Sequence, residues 1–270
     1  MPDETGFQLQ GSAPERYEHF IAPLMAPFIE TVLDTVDLYP GAQVLDLACG
    51  TGFVARAAAN RVGPTGHVAA ADINEGMLKI AHAKAPHVYP DIELTLASAD
   101  RLPYEDASFE VVICQQSAQF FPDLTAALRE TARVLRPDGR LALTVWAPKD
   151  RSPYFAAQYE VLEQYASPQD TASFRAAFSC TADRLTAAAT EAGLHDVTAR
   201  EITREVHTPP LTEWVPGQMA SVPWTQSLGE AGPETMAHAV RALTDRLTDH
   251  TAPDGTAKLP FTAVLVTALR

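Results

Sequence analysis

The spacing of apolar and polar positions changes period several times along the chain, and each change marks an element. Tyr17, Phe20, Ile21, Leu24, Phe28, Val32 and Val36 recur at helical spacing, with Pro23 and Pro27 set to kink or break the run. This predicts a broken amphipathic segment beside the first strand, preceded by a polar stretch, residues 1–12, expected to fray. After Pro40-Gly41 the helical period disappears. Val44, Leu45, Leu47 and Ala48, interrupted only by Asp46, form the near-continuous apolar run of a strand buried on both faces. An alanine-rich helix from Phe53 to about Asn60 follows, closed by Gly63-Pro64. HVAAAD is the second strand, and Asn74 caps the next helix, with Met77, Ile80 and Ala81 on its buried side. The third strand, IELTLASAD, ends in Asp100, and the fourth, FEVVICQQ, in Gln115 and Gln116. A helix capped by Asp123 runs to Leu135; Pro137-Asp138-Gly139 is a turn and RLALTVW a fifth strand. Strands alternating with helices from 42 to 146 predict an α/β fold, a parallel sheet covered by helices on both faces. Ligands of such sheets bind beyond the carboxyl ends of the strands, where Asp46, Asp72, Asp100 and Gln116 fall.

Past Trp146 the pattern is different. An aromatic-rich stretch leads to a helix from Thr181 to Ala192, then a strand from Val197 to Val206. Pro209-Pro210 opens a segment holding Trp214, Pro216, Pro223 and Trp224, followed by a helix started by Pro233 with Met236, Val240, Leu243 and Leu247 on one side. LPFTAVLVTAL supplies a last strand. The expected organisation is an N-terminal helical flap (1–40), a core (41–207 and 258–270) and a cap insertion (208–257).

The turn after the first strand carries the chemistry. Gly50 and Gly52 have no Cβ to obstruct a ligand approaching the backbone, and a helix N-terminus follows, an arrangement suited to a nucleotide. Gly50-Thr51-Gly52-Phe53-Val54-Ala55 also matches the dinucleotide fingerprint G-x-G-x-x-G/A, with Asp72 placed for a ribose. A nicotinamide oxidoreductase rests on that match alone. Asp46 argues against it: a carboxylate at the strand end repels a pyrophosphate and attracts the ammonium of a methionine moiety, which favours S-adenosylmethionine. The plainer alternative is a polar residue that merely ends a strand.

Composition narrows the classes. The 270 residues are 46% hydrophobic and 20% charged, as in a globular protein. A net charge of −14 argues against a nucleic-acid substrate, whose phosphates call for Lys and Arg. The N-terminus lacks the pattern of a secretion signal and no apolar run reaches the length of a membrane span, so a cytoplasmic location is expected. Cys49, Cys114 and Cys180 are far apart, giving neither a disulfide framework nor a zinc pattern, and no metal is implied.

Four segments in order, VLDLACGTG, AADINEGML, SADRLPYEDASFEVV and LRETARVLRPDGRL, resemble the four motifs of the class I S-adenosylmethionine-dependent methyltransferases. The likeness spans about residues 40–147 and is nearest to the group of ubiquinone, menaquinone and natural-product methylating enzymes. Ala48 replaces the first glycine usual in the first motif. The resemblance implies a Rossmann-like seven-stranded, mostly parallel sheet with the last strand antiparallel, and a cap over the acceptor. It implies that Asp46 and the loop of Ala48, Gly50, Thr51 and Gly52 hold the methionine end of the cofactor. Asp72 then takes both ribose hydroxyls, Ile73 and Met77 flank the adenine, Asp100 and Arg101 receive its amino edge, and Gln115 and Gln116 lie near the sulfonium. Tyr17 and His19 are the polar members of the flap; Tyr17 is assigned to the cofactor, and His19 is preferred over His195 and His207 as a candidate base. Phe120, Phe121, Trp146, Tyr154, Phe155, Trp214, Met219 and Trp224 are expected to form the acceptor pocket. The implied function is methyl transfer to a small, partly apolar acceptor at oxygen, nitrogen or carbon, with a homodimer compatible with it. The alternative is a protein of the same fold that binds S-adenosylmethionine while promoting another reaction or sensing a ligand.

Overall fold

The computed structural model describes residues 13–85 and 91–270, so the predicted fraying of 1–12 lies outside the described residues. Two helices come first, α1 (Ala13–Phe20) and α2 (Ala22–Thr35). The alternating half contains β1 (Gln43–Leu47), α3 (Phe53–Val62), β2 (His67–Asp72), α4 (Glu75–Lys84), β3 (Ile92–Leu96), β4 (Phe109–Gln115), α5 (Leu124–Val134) and β5 (Leu135–Trp146). Helices α6 (Pro153–Tyr165), α7 (Pro168–Ala176) and α8 (Ala182–Glu191) lead to β6 (His195–Thr208). The segment α9 (Leu211–Met219), α10 (Gln226–Glu230) and α11 (Pro233–Arg246) precedes β7 (Ala257–Leu269).

The strands form one seven-stranded sheet in the order β3-β2-β1-β4-β5-β7-β6. The first five pair in parallel, and β7 runs antiparallel to both β5 and β6. Because β2 lies on one side of β1 and β4 on the other, the order reverses at β1, and the crevice of the fold opens beyond the carboxyl ends of β1 and β4. Period-2 alternation sorts the strand residues between two cores. Val44, Val68, Val111 and Ile113 face α2, α3 and α6, whereas Leu45, Ala69, Val112 and Cys114 face α5 and α8. All three cysteines are free and buried.

Three sequence expectations are corrected. The third strand stops at Leu96, and Asp100 lies in a turn closed by a Ser98–Arg101 bridge; β3 is an edge strand with no neighbour beyond it to extend its pairing. The 137–139 turn does not precede β5 but bulges from it: Leu135 pairs with Phe109 and Arg140 with Val111, with Asp138 in the left-handed region at φ +64°. The N-terminal break falls at Ile21 and not at a proline. Pro23 sits in the first turn of α2, where a missing N–H costs nothing, and Pro27 lies inside the helix without ending it. The two predicted helix caps are present: Asn74 Oδ1 accepts from the Met77 N–H at 3.1 Å and Asp123 Oδ1 from the Ala126 N–H at 2.8 Å.

Residues 209–256 emerge from the β6–β7 hairpin and build no core of their own. Trp214, Met219, Trp224 and Leu243 join the cluster that also holds Phe28 of α2 and Val161 of α6. Helix α1 lies against α9 with no room to spare, since a Cβ on Gly217 would fall 2.2 Å from Phe20 Cε1. Arg16 Nε donates to the Ala220 carbonyl at 3.1 Å, and Arg56 of α3 pairs with Glu18 at 2.9 Å, so α1 bridges the cap and the Gly-loop helix.

Candidate active site

At the end of β1 the chain turns through Ala48, Gly50 and Gly52, all with positive φ (+55°, +54° and +78°). The Cys49 N–H donates to the Ala71 carbonyl at 3.0 Å and the Gly52 N–H to the Cys49 carbonyl at 2.9 Å, which pins the loop to β2 and to itself. Apart from its chain neighbours, no atom of the described residues lies within 4 Å of where a Gly50 Cβ would stand, and Gly50 borders a cavity of about 650 Å³. That is a cradle a ligand can fill from the open side.

Two buried carboxylates flank the loop. Asp46 accepts from the Ala55 N–H at 2.8 Å and borders the cavity. Burial, with Asp72 adding to it, pushes its carboxyl up to about 7, against the pull of the Ala55 amide and Arg56. Asp72 accepts from the Gly50 N–H at 2.7 Å through Oδ2 and from the Asn74 N–H at 2.8 Å through Oδ1. Backbone donors thus hold the carboxylate in place from the loop side. Burial raises this carboxyl as well. The Tyr17 phenol is pushed up by burial and by Asp72 and Glu18, and the Cys49 thiol by burial and the two aspartates, which leaves no thiolate nucleophile beside the loop. Next to Asp72, Ile73 is 42% exposed while bordering the cavity, an apolar face waiting for a flat partner.

At the end of β4, Gln116 takes φ +57° and its N–H donates to the Thr144 carbonyl at 2.8 Å. Gln115 Nε2 donates to the Met25 carbonyl at 3.0 Å, and Gln119 Nε2 to the Gln116 carbonyl at 3.0 Å. Gln115 Oε1, Gln119 Oε1 and both amide atoms of Gln116 are buried without a partner among the described residues. Orphaned amides at a strand end beside a cavity are groups that a ligand satisfies. The cradle at Gly50, the Asp72 carboxylate and these amides together fit a ligand with an amino acid end, a ribose and an aromatic base.

Of the residues expected from the sequence, the cavity wall brings together Tyr17, Asp46, Ala48, Gly50, Thr51, Asp72, Ile73, Met77, Asp100, Arg101, Gln115 and Gln116. It adds Phe120, Phe121, Trp146, Phe155 and Trp224 from the acceptor set. Five are elsewhere. Gly52 caps α3 and packs toward Ala81, where a Cβ would stand 3.2 Å from the Ala81 methyl. Tyr154, Trp214 and Met219 are core side chains behind the wall, with the Tyr154 and Trp214 rings 4.9 Å apart. His19 is exposed, its ring edge on Phe20; two residues past Tyr17 on a helix is about 200° around the axis, so the two cannot face the same ligand. The wall also contains Ile21, Met25 and Ile29, spaced four apart on α2, together with Ser117, Phe178, Gln218 and Val222. The helical face read from the sequence included Ile21, the cap residue just before α2, but not Met25 or Ile29; Gln218 carries no local signal. Among the described residues no group of three or more His, Cys, Asp or Glu side chains is placed to hold a metal ion, and no helix is long and apolar enough to cross a membrane.

The sheet order, the antiparallel β7 and the Gly loop flanked by Asp46 and Asp72 define the class I methyltransferase fold, whose cofactor is S-adenosylmethionine. Residues 45–143 match the family described as methyltransferase domain. Among curated relatives, nocamycin O-methyltransferase of Saccharothrix syringae is 41% identical over 119 residues, covering 44% of this chain and 42% of the relative. The ubiquinone/menaquinone biosynthesis C-methyltransferase UbiE of Hahella chejuensis is 38% identical over 152 residues, 53% of this chain and 61% of the relative. The chain thus spans less than two thirds of either relative. Among solved structures, the phosphoethanolamine N-methyltransferase 2 of Haemonchus contortus, in complex with phosphomonomethylethanolamine and S-adenosylhomocysteine, superposes with a TM-score of 0.61 at 17% identity. The match covers 95% of this chain and 56% of that one. The [4+2]-cyclase SpnF superposes with a TM-score of 0.53 at 19% identity over 90% of this chain and 80% of that one. Both share the fold, and they differ in chemistry.

Proposed function

We propose that the protein transfers a methyl group from S-adenosylmethionine to a small, partly apolar acceptor. The observation that carries this reading is a single cavity whose wall runs from the Gly50 loop and Asp72 to the rings of Trp146, Phe155 and Trp224, with Gln115 and Gln116 also on it. One end suits the cofactor and the other a molecule with apolar faces. Relatives named for nocamycin and for ubiquinone and menaquinone agree with such an acceptor.

The bound cofactor supplies a methyl carbon already activated by a positive sulfur. What this chain contributes is placement. With the cofactor bound, Asp46 would meet its ammonium end, Asp72 would orient the ribose, and Ile73 and Met77 would flank the base. Helix α1, held to α9 and α3, closes the methionine end against water. Orientation of this kind can supply about 7–11 kcal/mol of a barrier. His19 is exposed and borders no part of the cavity, so it is not a base in this scheme. The reading calls for an acceptor that needs little proton removal, such as an acidic hydroxyl, an activated carbon or a neutral amine.

Calorimetric titration with S-adenosylhomocysteine, followed by incubation with S-adenosylmethionine and a panel of neutral aromatic and polyketide-like acceptors, tests the proposal. Binding together with formation of S-adenosylhomocysteine and a methylated product is the expected result. Binding without turnover on any acceptor favours the alternative of a cofactor-binding protein with another reaction, the outcome that the fold of SpnF illustrates.

A further inference from the structure

The cap places one polar side chain in the cavity wall whose orientation is fixed from behind. Gln218, in α9, is 1% exposed and borders the cavity. The Tyr154 hydroxyl donates to its Oε1, and Gln158 Nε2 donates to the same oxygen at 3.1 Å. Both lone pairs of that oxygen are therefore used, while Nε2 has no hydrogen-bond partner among the described residues. Tyr154 and Gln158 are themselves fully buried in α6, so the amide is clamped by the core. The backbone is fixed as well, because the preceding residue, Gly217, takes the Phe20 ring against its α-carbon.

The surroundings are apolar. The Tyr154 ring meets Phe155, whose ring in turn meets Trp146 and Phe178 with centroids 5.0 and 4.9 Å apart, and all three border the cavity. Val222 and Trp224 also border the cavity, and none of Phe155, Trp146, Phe178, Val222 and Trp224 is ionisable. A neutral donor set in such a wall discriminates. It pairs with a neutral oxygen lone pair, whereas a carboxylate or phosphate brought there would lose its hydration with no cation to replace it.

We infer that Gln218 is the specificity-determining hydrogen-bond donor for the acceptor, its amide NH₂ meeting a carbonyl-type oxygen on the end of a neutral, largely apolar molecule remote from the methylated atom. Tyr154 and Gln158 act through it as positioning residues. The inference deepens the proposed methyl transfer and rests on that reading of the cavity. It explains why Tyr154 belongs to the site's logic although it does not reach the cavity.

The test uses two bicyclic probes of matched size, coumarin with its lactone carbonyl and 1,2-dihydronaphthalene without oxygen. Each is titrated by ligand-detected NMR into the protein saturated with S-adenosylhomocysteine. Coumarin is expected to bind about tenfold more tightly, the ratio one neutral hydrogen bond produces. Gln218→Glu keeps an oxygen for Tyr154 and Gln158 but removes the NH₂, and Gln218→Met removes the amide at similar volume; the preference should vanish in whichever of them folds. In Tyr154→Phe, the preference should shrink while affinity for the hydrocarbon stays, a change that loss of structure alone would not produce. Equal binding of the two probes by the wild-type protein, no binding of either, or a preference that survives in the folded Gln218 variants overturns the inference. Calorimetry in the same samples separates the two levels: if S-adenosylhomocysteine itself fails to bind the wild-type protein, the reading of the whole cavity falls. If it binds and only the carbonyl preference is missing, the Gln218 assignment alone falls.

Discussion

At Ala48 the chain holds a non-glycine residue at φ +55°, a conformation that costs an L-residue about 1–2 kcal/mol. Its amide position is dictated by the need to bring Cys49 back to Ala71, so the strain is imposed by the loop and not by the side chain. Ala48→Gly should therefore raise stability by up to about 1 kcal/mol, the relief being partly offset by the looser unfolded chain, as read by urea denaturation. Asp72→Ala has the opposite character. The two backbone N–H groups of Gly50 and Asn74 lose their acceptor together with the ribose, and affinity for S-adenosylhomocysteine should fall by about 1.5–3 kcal/mol, as for a charged hydrogen bond. Unchanged affinity in a folded Asp72→Ala protein, measured by calorimetry, would remove Asp72 from the ribose. The placement of these residues was legible because the features that mark it are local: a strand end, a glycine and an acid at fixed offsets within one βαβ unit. The far wall was legible only in part: Trp146 and Trp224 were expected there, but Phe178 and Gln218 were not, and an aromatic ring in sequence looks the same whether it faces a cavity or, like Tyr154 and Trp214, stands one layer behind it.

Among elements, α1 is the one that the proposed function uses to close the cofactor end. It is only eight residues long, too short to be stable alone, and depends on its contacts with α9 and α3. At Gly217 of α9 the end of the Phe20 ring occupies the space that a Cβ would need. Gly217→Val should push α1 off α9, speeding proteolytic cleavage near residues 13–20 and weakening S-adenosylhomocysteine by about tenfold or more. Adding Phe20→Ala makes room again, and the double variant should recover part of both losses. If Gly217→Val leaves cleavage and affinity unchanged, α1 is not held by this contact. The element sequence was readable from periodicity because each strand and helix buries its own apolar set. Boundaries failed where pairing partners set them: β3 ends early for want of a neighbour, and β5 absorbs the 137–139 turn because Leu135 already finds Phe109 across the strand.

For the molecule as a whole, the buried acids tie stability and ligand affinity to pH in opposite directions. Asp46 rises from an ordinary value of 3.8 to about 7, so between those pH values the folded protein holds more protons than the unfolded chain. Stability from this group is fully present below pH 3.8 and is lost as the pH rises through 7, with Asp72 shifted the same way. Thermal melts of Asp46→Asn should show a shallower decline across this window than the wild-type protein. The ammonium of the cofactor favours the charged carboxylate, so S-adenosylhomocysteine should bind more tightly at pH 8 than at pH 6, with protons released on binding. Calorimetry in two buffers of different ionisation enthalpy would detect the release; a pH-independent affinity would mean that Asp46 does not meet the ammonium.

The β6–β7 hairpin gives this architecture a seam. Thr208 and Ala257 are paired across the antiparallel ladder, so the forty-eight residues 209–256 leave the sheet and re-enter it at neighbouring points. A loop of any length can be spliced across such a joint without stretching the strands on either side. Under the proposed function, the cap's share of acceptor recognition, Gln218, Val222 and Trp224, sits in an exchangeable cassette, while the Gly loop and its two aspartates, encoded before residue 73, stay untouched. Chimaeras that trade this cassette between proteins of the same fold, with the facing side chains of α2 and α6 carried along to keep the shared core filled, offer a route to new acceptors on an unaltered methyl donor site.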